Sequence, residues 1–414
     1  MSDDQPQPDA QPSTPPPPSR ANASTPAARL SWGNRLARVV LALVFLVGLF
    51  CSVTPWGRAA TRGVMLLPAL ISASQPGPVV ASGEPIRHTS LTIPSRGGDV
   101  SLDVYEPSGA PPPIPGAREG VVIIPGVGDE RGEGQLKNLL ESLARSGLVA
   151  MTLTTPTLIR YDLSPVDSDA VVQAFLKLQR WPGVGADRVG ILAFSAGNSL
   201  ASLAAADPRI QHAVAYLTFF GGFYNGETLL RDVGRRALLV DGNLQPWQPD
   251  PVPLTVLANT LADTIENQDS GLIRDAFDFN DPDSLTPEQI AALAPPHAAA
   301  YHLLAGDQPD RVEANLAALT PKMHELLVAL SPSSVVGQLR APVYLLHDRS
   351  DEFVPFTESR EFAAALARLH HPYDHVEFSI FQHVEVRGGL GLIPVLTDGV
   401  RLYAVLYKLL LPSA

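Results

Sequence analysis

The chain has 414 residues, 45% hydrophobic and 17% charged, a composition that excludes a disordered protein and allows one large or two medium domains. Thirty Lys and Arg against 42 Asp and Glu leave a net charge of -12, which argues against a broad polyanion-binding surface and makes nucleic acid an unexpected partner. The single cysteine, Cys51, sits in an apolar run, so an intrachain disulfide, a thiolate metal site and a cysteine nucleophile in the folded part are excluded together.

Forty prolines are about twice the usual share, and eight of them fall in the first thirty residues. Residues 1–34 therefore read as a solvated, partly polyproline II tail that cannot repay its ordering entropy. The uncharged run 39–57 has the length of a helix that crosses the hydrocarbon core, and a transmembrane anchor is expected over 36–57. A cleaved signal peptide is the competing reading. It fits less well, because the preceding tail is long, the run exceeds the usual apolar core, and no A-x-A site follows. Arg29, Arg35 and Arg38 before the run and Arg58 and Arg62 after it put the N-terminus in the cytoplasm under the positive-inside rule. The bulk of a single-pass protein would then lie on the extracytoplasmic side. The stretch 64–71 contains Pro68 and is too short to span, so 58–85 reads as a linker with an interfacial or packing segment.

From residue 86 short β-branched runs alternate with helical patterns, the sign of a sheet covered by helices on both faces. Eight strands are predicted: HTSLTI, VSLDVYEP, GVVIIPG, LVAMTLT, RVGILAF, HAVAYLTF, APVYLLHD and HVEFSIF. The first two pair as a hairpin through a turn at 95–98, and the others need crossovers and so lie parallel. Helices are marked by Leu136, Leu139, Leu140 and Leu143, by Val171, Phe175 and Leu178, and by Phe362, Leu366 and Leu369. Between Asp241 and Leu330 the rhythm breaks: short helical patterns, no predicted strand, and fourteen Asp and Glu against three Lys and Arg. Residues 242–335 are thus expected to form an acidic helical insertion that caps a site and disfavours anionic ligands. Trp247, Leu254, Phe277, Phe279 and Leu303 are the candidates for its underside.

In RVGILAFSAGNS a buried-type strand runs into a small-residue helix, with Ser195 at the turn. Small neighbours at Ala193 and Gly197 let the chain turn sharply and lift the hydroxyl above the sheet edge. A serine hydroxyl needs a base, and the base needs an orienting acid. Asp351 follows the strand APVYLLHD and His383 follows HVEFSIF, so both stand at strand C-terminal ends, where a parallel sheet gathers its functional groups. Asp348 reads as completing its own turn, and His347 as a structural neighbour. His370, His371 and His375 lie at the wrong end of their strand to serve as the base. His297, His302 and His324 show no metal-ligand spacing, so neither metal nor cofactor is expected. The loop 125–129, Pro-Gly-Val-Gly-Asp, follows the first parallel strand. The amides of Val127 and Ala196 are the natural pair of oxyanion donors. The same loop lacks the GK[ST] or full GxGxxG of a nucleotide site.

Through IIPGVGDERG, AFSAGNS, HDRSDEFVP and FQHVE the chain resembles the α/β-hydrolase superfamily from residue 86 onward, the insertion excepted, and within it the dienelactone-hydrolase and prolyl-oligopeptidase-like esterase branch. That resemblance implies an α/β-hydrolase fold: a mostly parallel eight-stranded sheet with helices on both faces, the catalytic domain formed by 86–241 and 336–414 and the cap inserted after the sixth strand. It also implies a serine hydrolase with Ser195, Asp351 and His383 as its triad and a small-molecule ester as substrate, with a serine peptidase or a catalytically silent scaffold as alternatives. Ala193, Pro125 and Asp348 depart from the family pattern, and a serine at 195 argues against dienelactone hydrolysis proper, which uses cysteine.

Overall fold

The computed structural model describes residues 32–411 apart from 72–78, 80–82, 110–115, 117, 133, 388 and 390. The expected Pro-rich tail lies outside the described residues up to 31, and a helix already begins at Trp32. The chain divides into two units, 1–50 and 51–414. Helix α1 (Trp32–Val53) carries the apolar stretch Leu36–Val53, of mean hydropathy 2.6. It is long and apolar enough to cross a membrane.

The second unit is built on one eight-stranded sheet whose members we number β1 (Ile86–Ser95), β2 (Gly98–Pro107), β3 (Arg118–Ile124), β4 (Val149–Thr154), β5 (Val184–Phe194), β6 (Val214–Phe220), β7 (Val343–Asp348) and β8 (Tyr373–Phe378). Their spatial order is β1-β2-β4-β3-β5-β6-β7-β8. The β1–β2 and β2–β4 pairings are antiparallel and all later ones parallel, which is the α/β-hydrolase topology. Central strands read as continuous apolar runs because both faces are covered. Val122 and Ile124 of β3 enter one buried cluster, and Val121 and Ile123 enter another on the opposite face.

Helices α4 (Ser168–Gln179), α5 (Gly197–Ala205) and α13 (Phe356–Arg368) cover the first face, burying Val171, Phe175, Leu178, Leu200, Phe362 and Leu366. Leu369, expected on the buried stripe of α13, is instead a half-exposed helix cap, because the helix ends one residue before it. The second face carries α3 (Gly134–Arg145), whose Leu136, Leu139, Leu140 and Leu143 point inward, together with α2 (Pro55–Ile71) and α14 (Leu392–Leu410). Within 58–85, α2 packs into the fold: Ala59, Leu66 and Ala69 are buried, and Gly63 lets Tyr403 of α14 approach.

After β6 the chain leaves the sheet as α6 (Gly226–Arg235) and returns at β7. A two-stranded hairpin, Ala237–Val240 with Asn243–Pro246, turns through Asp241 and Gly242, both at positive φ. This hairpin was not among the predicted strands, although an Asp-Gly pair suits a two-residue turn whose central residues both need positive φ. Helices α7 (Pro251–Ala262), α8 (Asp269–Ala276), α9 (Pro287–Ala292), α10 (Pro295–Ala305), α11 (Val312–Ala318) and α12 (Pro321–Leu330) follow. Side-chain caps from Asp250, Thr286 and Thr320 start α7, α9 and α12, each with proline in the first turn.

Candidate active site

Ser195 stands between β5 and α5 with φ of +50°, a region that non-glycine residues enter at a cost and that recurs where a side chain must be presented. Its amide donates to Phe220 O at 2.9 Å, fastening the turn to the end of β6. Gly197 cannot carry a side chain, because a Cβ there would overlap Pro125 O and meet Ile124. Ala193, near the end of β5, is fully buried. The N-terminus of α5, with its partial positive charge, opens directly after Ser195.

The loop 125–129 lies against this turn: a Cβ on Gly126 would stand 3.3 Å from Ser195 Cβ. Gly128 holds the loop in shape at φ of +91°, its amide donating to Leu158 O at 2.7 Å. Tyr161, itself at positive φ, presses its hydroxyl against Gly128 and packs on Phe279. Val127, Ala196 and Ser195 share the lining of one small pocket of about 50 Å³.

Asp351 and His383 meet at the same edge, His383 Nδ1 lying 2.8 Å from Asp351 Oδ2. The other carboxylate oxygen accepts the amides of Phe353 and Val354 at 2.8 and 3.0 Å. Burial alone would raise the Asp351 carboxyl. The attraction of His383, with contacts from His347 and His383, outweighs it and holds the group well below the usual carboxylate range. His347 Nε2 bonds Val354 O at 2.9 Å and lies 3.3 Å from Asp351 Oδ2. Phe353 stacks on the His383 ring at 4.5 Å. Gly221, at φ of +64°, underlies the pair: a Cβ there would stand 3.1 Å from His383 Nδ1 and 3.2 Å from Asp351 Oδ2. Gly221 follows the residue whose carbonyl holds the Ser195 amide, so the end of β6 fastens the Ser195 turn at one residue and underlies the His383–Asp351 pair at the next. Asp348 accepts the amides of Ser350 and Phe381 at 2.8 and 2.7 Å, tying the acid loop to the histidine loop.

Val252, Val256 and Leu257 of α7 and Leu327 and Leu330 of α12 line the small pocket from above Ser195. None of the five residues expected on the underside does so. Leu303 is buried among the insertion's own helices, beside Gly234 of α6, and Phe279 packs on Tyr161. Trp247 acts differently: its indole N–H donates to Asp351 O at 2.8 Å, joining the insertion to the acid loop. His297, His302 and His324 each pair with a carboxylate, from Asp269, Asp307 and Glu227. Among the described residues no group of three or more His, Cys, Asp and Glu could hold a metal ion. Gly221, Phe353 and Tyr161 were missed from sequence. The only signal was a Gly-Gly pair ending a strand.

No protein-family model matches the sequence, and no curated protein sequence matches it. Among solved structures, the chain is similar to dipeptidyl peptidase 4 of Porphyromonas gingivalis (12% identity, TM-score 0.42, 78% of this chain and 36% of that one). It is also similar to an acylaminoacyl peptidase of Pyrococcus horikoshii (13%, TM-score 0.46, 80% and 42%) and to a dienelactone hydrolase, so described, of Klebsiella pneumoniae (13%, TM-score 0.42, 78% and 99%). The chain thus spans well under half the length of the two peptidases.

Proposed function

We propose that this chain is a membrane-anchored serine hydrolase that cleaves carboxylic esters. Ser195 attacks the ester carbonyl while His383 takes its proton at Nε2 and later returns it to the leaving alcohol. Asp351 fixes the imidazole tautomer through Nδ1 and offsets the charge that forms. The amides of Val127 and Ala196 bind the developing oxyanion, and water then releases the acyl group. The observation that carries this reading is the His383–Asp351 pair at 2.8 Å, standing over the strand end that fastens Ser195 in its positive-φ turn.

An ester is favoured over a peptide by the pocket at Ser195. Among the described residues its lining is aliphatic and aromatic apart from Ser195 and Thr260, so peptide amides buried there would lose their hydrogen bonds to water without replacement. Anchoring through α1, with the hydrolase unit extracytoplasmic, is supported by the helix's length and the flanking arginines. The test is hydrolysis of a panel of neutral esters and short peptides by the purified chain and by Ser195→Ala. Ester turnover confined to the parent is expected. Peptide turnover at the same serine would favour a peptidase, and no turnover with either class a binding scaffold.

A further inference from the structure

The second face of the sheet is not closely packed beneath β5. Leu192 and Phe194, on a strand flanked on both sides, remain partly accessible because a cavity of about 500 Å³ lies between the sheet and helices α2, α3 and α14. Its volume falls in the range of single-ligand sites. Aliphatic side chains dominate its wall, with Leu66 and Leu70 from α2, Leu139 from α3 and Leu406 from α14 facing Leu192 across it. Polar side chains are the minority: Tyr216 and Thr218 on the floor, Glu119 near the start of β3, and Asp129, Glu130, Gln135 and Tyr161 at the loop end. Gly190 makes room for the Tyr216 ring, which lies where any Cβ on residue 190 would be. Burial pushes the Glu119 carboxyl up to about 7, so that end carries less charge than its sequence suggests.

The cavity ends beside the residues of the proposed chemistry: Ser195 and His383 are not on its wall, but it shares Val127 with the small pocket that Ser195 lines. One end is walled by Pro125, Val127 and Val384, from the oxyanion loop and the residue after His383, and the other by Glu119 and Leu148, which lie at or next to the starts of their strands. From Glu119 to Pro125 the wall follows β3 for a length of roughly 20 Å at the rise of an extended strand. At bond lengths of ~1.5 Å, a zigzag alkyl chain of about sixteen carbons covers that distance.

We propose that this channel holds the long alkyl chain of the substrate, so that the ester cleaved at Ser195 is a lipid-like one with a chain of about sixteen carbons. The proposal rests on Ser195 being the nucleophile of an esterase. The small pocket under α7 and α12 would then take the compact side of the ester.

The full chain in lipid nanodiscs should be assayed with p-nitrophenyl acetate and palmitate, beside Leu192→Trp and Ala69→Trp, which narrow the channel from opposite walls. The palmitate-to-acetate ratio of kcat/KM is expected to fall at least about ten-fold in both variants. In parallel, a sixteen-carbon methyl ester bearing a diazirine at its chain end, photolysed on the Ser195→Ala chain, should label residues 66–70 or 143–148. This readout needs no channel variant to fold. An unchanged ratio in folded variants, or labelling confined to residues outside the channel wall, would overturn the proposal. Specific labelling without hydrolysis by the parent would instead keep the channel and refute the esterase reading.

Discussion

Gly221 offers a sharp perturbation of the site, because it meets both the histidine and its acid without contributing a side chain. Gly221→Ala has two separable effects. Placing alanine at φ of +64° costs about 1 kcal/mol of backbone strain, which lowers Tm by about 2 °C in a chain of this size. Its Cβ would also stand 3.1 Å from His383 Nδ1 and Cε1 and 3.2 Å from Asp351 Oδ2, a few tenths of an ångström inside ordinary contact. The His–Asp pair must yield by that amount. Since a misplacement of about 1 Å costs on the order of a hundred-fold in rate, a shift of a few tenths should lower kcat by roughly ten-fold. Gly242→Ala is the control: it carries the same kind of strain at φ of +80°, but its Cβ meets nothing within 4 Å. Ester hydrolysis and thermal melting of the two variants side by side should give similar losses of Tm and a loss of kcat in Gly221→Ala alone. Equal kcat in both variants would refute a role for the end of β6 in positioning His383 and Asp351 for the proposed reaction.

Asp351→Asn should keep the Phe353 and Val354 amides satisfied while presenting an N–H₂ to His383 Nδ1, forcing the wrong tautomer; kcat should fall by about a thousand-fold or more with a small change in Tm. Glu358 is fully buried, accepts the amides of Tyr224 and Asn225, and is pushed up to about 8 mainly by burial. Its folded value is raised, so its contribution to stability is full below the ordinary 4.5 and is lost as pH rises through 8. Glu358→Gln, which keeps the accepting oxygen, should flatten the decline of Tm between those limits. Removal of residues 1–53 should release the remainder into the carbonate-soluble fraction, whereas the full chain should stay with membranes.

The central strands were legible because a sheet covered on both faces demands uninterrupted apolar runs such as GVVIIPG and RVGILAF, whereas β1, partly exposed along its length, was legible through its hairpin turn with β2. Ser195, Asp351 and His383 were read as a set from the sequence because each follows a predicted strand, and the structure pairs His383 with Asp351. What was hidden depends on partners distant in sequence. The hairpin Ala237–Val240 with Asn243–Pro246 pairs four apolar residues with a short exposed strand, half of it polar and ending in proline, leaving its Asp-Gly turn as the signal. Trp247 and Leu303 have apolar surface for several destinations, and helical spacing alone does not say which face meets the sheet. Leu192 reads as ordinary core. Nothing local reveals that the helices opposite it stand away from the strand.

The central claim is tested most directly by treating the full chain with a fluorophosphonate and locating the adduct by mass spectrometry. The account predicts a single covalent phosphonylation on Ser195, abolished in Ser195→Ala and strongly slowed in His383→Ala. An adduct that persists in Ser195→Ala, or a folded parent chain that takes up no label, would contradict it.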